Sequence, residues 1–302
     1  MLRRVFTRAA WRGAYLCAVL GPVALLLFAT KIEFRNLATA FTVVTGLLAF
    51  SLLLVAVMLT GRLRSLLFGF GLEWVLRSHR LIGVLVVLLV LLHVLFVLVG
   101  DPRGIHIFNL SKQPAPVWAA TTSTVALLLL IRLATRRRRR QPRYEAWRMF
   151  HLGLAVIAVV AASLHIWWLH IVADVPVMRA SFVVPAVLVA LVLFRRWIWR
   201  PLRARKRPYV VEGVSPASGS AVTVRVRANG RGRGIPFHAG QFVWIKIGSS
   251  PFVFEDHPFT ISSTAVDPDR KEFTIKALGD FSGLLAGLRP GRRIYLDGPY
   301  GG

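Results

Sequence analysis

Long apolar stretches alternate with short polar segments over the first 200 residues of the chain. Six stretches come close to the roughly 20 apolar residues that a helix needs to cross a hydrocarbon core. They fall at 14–30, 38–59, 80–99, 115–131, 149–173 and 180–199. The pattern therefore predicts six membrane-spanning helices. The first stretch follows four arginines and precedes no clear small-x-small cleavage site, so we expect a retained anchor rather than a cleaved signal.

Beyond Pro201 the pattern changes to alternation of apolar and polar residues. Val222–Arg227 and Phe273–Lys276 alternate with a period of two, which is typical of half-buried strands. Turn signals separate such runs, at Asn229-Gly230, Asp267-Pro268 and Pro290-Gly291. We predict a small antiparallel all-β barrel of about six strands, with one short helix near 280–287.

Composition agrees with a membrane domain that carries a soluble appendage. Hydrophobic residues make up 55% of the chain, and the mean hydropathy is +0.59. We therefore predict an all-α bundle of six membrane helices at 1–200, a linker at 201–207 and the barrel at 208–302.

Basic residues collect on one side of the predicted membrane. The net charge is +26, and with the N-terminus inside, Arg62, Arg64 and the run Arg136–Arg140 all lie in cytoplasmic flanks, as the positive-inside rule requires. We interpret that run as a topology determinant that also contacts anionic lipid. No nucleic-acid module or aromatic-interleaved surface accompanies the charge, so we expect no nucleic-acid partner. The predicted location is the cell membrane, with the N-terminus and barrel in the cytoplasm.

The single cysteine limits the redox chemistry that this chain can support by itself. Cys17 cannot form an intramolecular disulfide, a C-x-x-C-H haem attachment or a four-thiolate iron–sulfur cluster. A redox centre would have to be held by histidine or without covalent links.

Two pairs of histidines have the same internal spacing. His79 and His93 lie at the start of and within the third predicted span, and His151 and His165 lie in the fifth; the members of each pair are fourteen positions apart. Fourteen helical residues make close to four turns and about 21 Å, so each pair lies roughly on one face. Both spans are predicted to run from inside to outside. His79 and His151 are therefore expected at one depth in the membrane, and His93 and His165 at another.

Imidazole is an axial ligand of haem iron, so this spacing predicts an inner and an outer b-type haem. The alternatives are metal sites, structural histidines and coincidence. Arg80 and Arg148 flank the inner pair and either meet haem propionates or serve as membrane-flank charges. We expect His106 and His170 to be exposed or in loops.

Three short motifs in the barrel resemble the NADPH oxidase and ferric reductase family. They are His257-Pro258-Phe259-Thr260-Ile261-Ser262-Ser263, the stretch from Ile275 to Ser282, and Asp297-Gly298-Pro299-Tyr300-Gly301. The paired histidines match the family's haem ligands. The resemblance implies a Greek-key FAD-binding barrel of the ferredoxin reductase type and, as cofactors, FAD and two b-type haems.

The same resemblance implies roles for individual residues of the barrel. Phe259 would pack on the isoalloxazine ring, Thr260 would lie near its reactive edge and His257 would hold the ribityl or pyrophosphate portion. Further along, Lys276, Gly279 and Ser282 would meet the pyrophosphate, with Ser282 capping the short helix. The set of FAD-binding residues is His257, Pro258, Phe259, Thr260, Ser262, Lys276, Gly279 and Ser282, and no residue is assigned a catalytic role. Gly230, Gly232 and Gly234 lack the dinucleotide spacing and indicate a basic hairpin.

The resemblance implies an NAD(P)H-dependent oxidoreductase that reduces oxygen or a ferric chelate on the outer face. In the family a nicotinamide-binding domain follows the Gly-Pro-Tyr-Gly stretch, so we expect NAD(P)H to act through a domain or partner absent from this chain. One alternative is a haem and flavin relay subunit that serves a separate reductase. Another is a non-redox membrane transporter with intramembrane histidines.

Overall fold

A computed structural model of the protein describes residues 2–30, 32–101, 106, 109–140, 144–170, 174–229, 234–276 and 278–301. At 110 and 136–140 it describes the backbone alone. The side chains of the run Arg136–Arg140, most of the glycine–arginine hairpin (Gly230 and Gly232 included) and Ala277 therefore lie outside the described residues.

Six helices in the described part are long and apolar enough to cross a membrane, as predicted. They are α1 (Leu2–Ala29), α2 (Leu37–Leu59), α4 (Leu72–Gly100), α5 (Ala115–Arg140), α6 (Tyr144–Leu169) and α7 (Pro176–Phe194), and α7 continues through a π-helical turn (Arg195–Trp199) into α8 (Arg200–Arg205). A short helix, α3 (Arg64–Phe70), lies between α2 and α4. Several helices begin before their apolar stretches, because the helix also includes the arginines and other polar residues that precede each stretch.

The second helix is the most buried of the six. Every residue from Ala49 to Ala56 is buried, which is the pattern of a helix surrounded by others. Helices α5 and α6 pack closely on each other through small residues, and Ser123 donates a hydrogen bond of 2.9 Å to the carbonyl oxygen of Ala158. Close packing through small residues is typical of helices in lipid.

The chain divides into two compact units. One consists of Met1–Gly61 and Glu73–Val192, and the other of Arg62–Leu72 and Leu193–Gly302. The short helix α3, the π-helical turn and α8 thus fold with the C-terminal strands.

Six strands in the described residues of the second unit form one antiparallel sheet. They are β1 (Tyr209–Pro216), β2 (Ala221–Ala228), β3 (Phe242–Ile247), β4 (His257–Thr260), β5 (Arg270–Lys276) and β6 (Arg293–Tyr300), in the order β4-β3-β6-β1-β2-β5. Just past β4, the amide of Ser262 donates to the carbonyl oxygen of Glu272 in β5 over 2.9 Å. The two edge strands therefore meet, and the sheet closes into the predicted Greek-key barrel.

One short helix, α9 (Asp280–Ala286), covers an end of the barrel at the predicted place. Its Phe281 and Leu285 join the barrel core, because residues four positions apart lie on the same face of a helix. The largest fully buried members of that core are Tyr209, Phe273, Ile245, Leu285 and Ile294.

Candidate functional site

The four histidines of α4 and α6 face each other in two pairs. The ring centroids of His79 and His151 are 6.1 Å apart, and those of His93 and His165 are 6.3 Å apart. The pairing requires α4 and α6 to run in the same direction, with their histidines at matching depths. The spacing in the sequence thus corresponds to a two-level arrangement within the helical unit.

Backbone carbonyls fix the orientation of three of these rings. Nδ1 of His79 lies 3.0 Å from the oxygen of Ala56, and Nδ1 of His93 lies 2.8 Å from that of Thr42. Nδ1 of His165 lies 2.9 Å from the oxygen of Pro116. Since a carbonyl oxygen only accepts, Nδ1 must donate, and the lone pair is left on Nε2. Metal-binding histidines typically use this arrangement.

The fourth ring is held by an aromatic neighbour one turn away on the same helix. The indole of Trp147 stacks on His151 at a centroid distance of 5.1 Å and an interplanar angle of 28°. Trp147 also donates from Nε1 to the carbonyl oxygen of Leu133, over 3.3 Å, which ties it to α5.

The spacing of both pairs fits a metal shared between two imidazoles. At a metal–nitrogen distance of about 2 Å, two imidazoles on opposite sides of one metal have centroids about 6 Å apart. Glycines, which have no side chain, lie near the histidine rings. A Cβ on Gly46 would lie 3.0 Å from Nδ1 of His93, and a Cβ on Gly83, one turn past His79, would meet no described atom within 4 Å. The four residues can therefore hold two axially ligated metalloporphyrins.

The other candidates in the helical unit lie at its edges. Arg80 is exposed, and its Nε lies 3.4 Å from the carbonyl oxygen of Leu76 on its own helix. Arg148 lies near the ring of Tyr144. His106 and His170 are exposed, as expected, and Nδ1 of His170 is 3.1 Å from Asp174.

In the barrel, the strand with the flavin-like signature has two different faces. His257 and Phe259 are partly buried and share the inner face, while Pro258 and Thr260 are exposed. The ring of Phe281, at the start of α9, lies 4.2 Å from that of His257 and 6.1 Å from that of Phe259, centroid to centroid. The three rings form an aromatic cluster next to the exposed residue Thr260.

The start of α9 differs in detail from the sequence expectation. Gly279 is the N-cap residue, and Ser282 occupies the third helical position. The Ser282 hydroxyl accepts from the amides of Leu278 and Gly279, at 3.0 Å each. Ser282 therefore caps the helix, but from the third helical position and not from the N-cap position, because a serine there can bond back to the cap amide. Lys276 and Gly279 are exposed beside this turn.

Two polar side-chain atoms near the signature strand could hydrogen-bond to a polar ligand. Trp244 Nε1 and Ser263 Oγ are buried and have no hydrogen-bond partner among the described residues. Buried polar atoms in native proteins are normally satisfied, so these two fit a site that a bound molecule completes.

No pattern in the sequence indicated that a buried arginine would contact the residue just before the signature strand. Arg62 donates two hydrogen bonds to Asp256, at 2.7 and 2.9 Å, and its guanidinium lies 3.4 Å from the ring centroid of Trp244. Burial acts to lower the pKa of Arg62, but the hydrogen bond and charge of Asp256 outweigh it and raise that pKa. The sequence interpretation gave Arg62 only a role in topology.

A second arginine completes this charged network. Arg200 donates to the carbonyl oxygen of Arg62 over 2.8 Å and also to the hydroxyl of Tyr300. The Tyr300 hydroxyl in turn donates to Asp297 over 2.8 Å. Burial, followed by the charge of Asp297, raises the pKa of Tyr300.

Comparison with sequence models of protein families matches both parts of the chain. Residues 45–162 match the ferric reductase like transmembrane component, and residues 214–302 match an FAD-binding domain. The chain has the two-part architecture of the ferric reductase and NADPH oxidase family. Its described helices include six that are long and apolar enough to cross a membrane. No curated protein matches it.

Similar solved structures include a ferredoxin reductase in carbazole 1,9a-dioxygenase, 26% identical, with a TM-score of 0.27 over 32% of this chain and 28% of that chain. The cytochrome b5 reductase domain of Ulva prolifera nitrate reductase is 16% identical, with a TM-score of 0.27 over 32% and 41% of the two chains. Flavohemoglobin from Malassezia yamatoensis is 12% identical, with a TM-score of 0.30 over 87% and 62%. The chain thus spans less than a third of the first of these structures.

Proposed function

We propose that this chain passes electrons from cytoplasmic NAD(P)H, by way of FAD and two b-type haems, to oxygen or a ferric chelate on the outer face of the cell membrane. When bound, FAD accepts two electrons from the nicotinamide and releases them one at a time, and haem iron carries single electrons. The observation that carries the proposal is the pair of facing imidazoles at each of two depths.

In this proposal His79 and His151 hold the inner haem, and His93 and His165 hold the outer one. The carbonyls that accept from Nδ1 of His79, His93 and His165 leave the lone pair of these three imidazoles on Nε2, which supports their role as metal ligands. Haems held by two imidazoles each would suit electron relay rather than substrate binding at the metal.

In the barrel, Phe259 would pack on the isoalloxazine ring, Thr260 would lie near its reactive edge and His257 would hold the ribityl or pyrophosphate portion. Phe259 is partly buried and can supply an apolar aromatic surface for a planar ring system, while Thr260 is exposed and its hydroxyl can hydrogen-bond to the edge of that ring. Pro258 and Ser262 complete the strand. Lys276 adds a positive charge near the turn where Gly279 and Ser282 lie, which suits the pyrophosphate.

Basic residues support the proposed orientation in the membrane. Arg62, Arg64 and the run Arg136–Arg140 follow even-numbered spans, so the positive-inside rule places the N-terminus and the FAD barrel in the cytoplasm. We assign 1–200 to the haem-binding membrane domain, 201–207 to a linker and 208–302 to the FAD barrel.

The experiment is an optical spectrum of the detergent-purified protein, oxidised and then reduced with dithionite. We expect bands of two low-spin haems together with bound flavin. The change His93→Leu should remove about one haem equivalent and leave the flavin content intact, because the flavin residues belong to the other unit.

His170→Leu is the matched control, since this histidine is exposed and its Nδ1 lies 3.1 Å from a carboxylate oxygen of Asp174 instead of facing another imidazole. It should retain both haems. Unchanged haem content in both His93→Leu and His79→Leu would refute the ligand assignment, and a colourless wild-type protein would favour the non-redox transporter.

A further inference from the structure

One residue of the loop between α2 and α3 is unusually constrained for a loop residue. Arg62 has a φ of +52° and is only 7% exposed. A left-handed conformation is uncommon for residues other than glycine, asparagine and aspartate, and it persists where surrounding contacts impose it. The contacts of Arg62 are therefore the place to look for its role.

Those contacts converge on the strand that carries the flavin signature. Asp256, which receives the two hydrogen bonds of Arg62, directly precedes β4 and is 3% exposed. Trp244, whose ring lies under the guanidinium, pairs in the sheet with Pro258 of β4. Arg62 therefore contacts both the beginning of β4 and the strand on which β4 lies.

The guanidinium also balances two carboxylates, of which Asp256 is buried and Asp297 is partly buried. Asp297 of β6 lies 3.6 Å from Arg62 and is directly opposite Trp244 in the sheet. Without the arginine, the Asp256 carboxylate would remain buried near a second negative charge, and the loop that leads into β4 would have to move to hydrate it.

We propose that Arg62 is a positioning residue for the flavin-binding strand. Its guanidinium holds the beginning of β4, through Asp256 and Trp244, in the conformation in which His257 and Phe259 face the flavin. The affinity for FAD is then set in part by a residue of the loop between two membrane helices. This inference rests on the FAD site proposed above.

The experiment measures FAD binding to deflavinated full-length protein in detergent, followed by the quenching of flavin fluorescence. We expect Arg62→Met to raise the Kd for FAD at least tenfold. Arg62→Lys should give an intermediate Kd, because lysine keeps the charge but cannot donate two parallel hydrogen bonds to one carboxylate. At saturating FAD, the visible circular dichroism of the bound flavin should also differ from wild type in Arg62→Met and move back toward it in Arg62→Lys.

Arg77→Met is the matched control. Arg77 also forms an arginine–carboxylate pair, at 2.8 Å from Glu73, but its side chain is 75% exposed on α4. The control should bind FAD with the wild-type Kd. Haem absorbance measures the integrity of the helical unit in every variant.

A double-mutant cycle with Asp256→Asn tests whether Arg62 acts through this carboxylate. If it does, Arg62→Met combined with Asp256→Asn should weaken FAD binding by no more than the stronger single change. A wild-type Kd in Arg62→Met overturns the proposal. If that variant does not accumulate, a wild-type Kd and flavin dichroism in Arg62→Lys and Asp256→Asn overturn it equally. Failure of the wild-type protein itself to bind FAD would instead overturn the proposed function.

Discussion

Gly46 leaves no space for a methyl group beside the outer imidazole. A Cβ at this position would lie 3.0 Å from Nδ1 and 3.1 Å from Cε1 of His93. In an isolated helix, alanine would be favoured over glycine by about 1 kcal/mol. We predict the opposite outcome for binding: Gly46→Ala should displace the His93 ring, strain its hydrogen bond to Thr42 and lower the outer haem content, as measured by the reduced-minus-oxidised spectrum.

Gly21 provides the comparison for this change. It is also a helical glycine in a membrane span, and a Cβ there would meet no described atom within 4 Å. Gly21→Ala should retain both haems. Equal haem content in Gly46→Ala and wild type would show that the ring tolerates displacement.

At the residue scale, the imidazoles could be predicted from the sequence and the groups that orient them could not. Four histidines at matched intervals are visible in any printed sequence. The acceptors of Thr42, Ala56 and Pro116 are backbone carbonyls, which every residue has. In the sequence, Arg62 could not be distinguished from the other arginines of the predicted cytoplasmic flanks, because its partner Asp256 is distant along the chain.

At the scale of single elements, β5 contains a buried lysine in an aromatic environment. Nζ of Lys271 donates to the carbonyl oxygens of Ile235 and Pro268, at 2.8 and 2.7 Å, and lies near the rings of Tyr209 and Phe237. Burial lowers the pKa of Lys271 to about 8, against the opposing effect of Asp269 and Asp267. Burial also raises the pKa of Tyr209 to about 12.

These shifts predict a maximum in the stability of the barrel near pH 10. Between pH 8 and 10 the folded state loses the Lys271 proton while the unfolded chain keeps it, so the free energy of unfolding rises with pH, by on the order of 1 kcal/mol. Above pH 10 the unfolded chain loses the tyrosine proton first and stability falls. Urea titrations of the full-length protein, followed by flavin release, measure both limbs.

Lys271→Met identifies the source of the rising limb. Methionine has no titratable group, so the increase between pH 8 and 10 should vanish while the decrease above pH 10 remains. An unchanged rising limb in this variant would assign the effect to another group.

The elements themselves were largely predictable, since six apolar runs gave six spans and alternating runs gave strands. The barrel's closure through Ser262 and Glu272 was not visible, because main-chain pairing between distant strands has no local signature. The N-cap position of α9 was misassigned for a related reason. Gly279 has no side chain to indicate an N-cap, whereas Ser282 has a suitable one.

At the scale of the whole molecule, the arginine distribution predicts how the chain crosses the membrane. In a Cys17→Ser background, Ser111→Cys between the third and fourth spans should react with a membrane-impermeant maleimide in intact cells. Ser218→Cys, in the turn between β1 and β2, should react only after the cells are permeabilised, because the barrel is predicted to be cytoplasmic.

Both serines are exposed in the structure, so differences in labelling report the side of the membrane rather than burial. The Cys17→Ser protein without an introduced cysteine should remain unlabelled. Labelling of Ser218→Cys in intact cells would reverse the predicted topology.

The carbonyls on α2 impose a length on that helix. Thr42 and Ala56 are fourteen residues apart, as are His93 and His79, and the order is reversed because the two helices run in opposite directions. Inserting one residue between Thr42 and Ala56 would turn one acceptor by about 100° relative to the other, so only one imidazole could keep its partner. The helix α2, which contains no histidine, thus determines through the spacing of two carbonyls whether both His79 and His93 can be oriented.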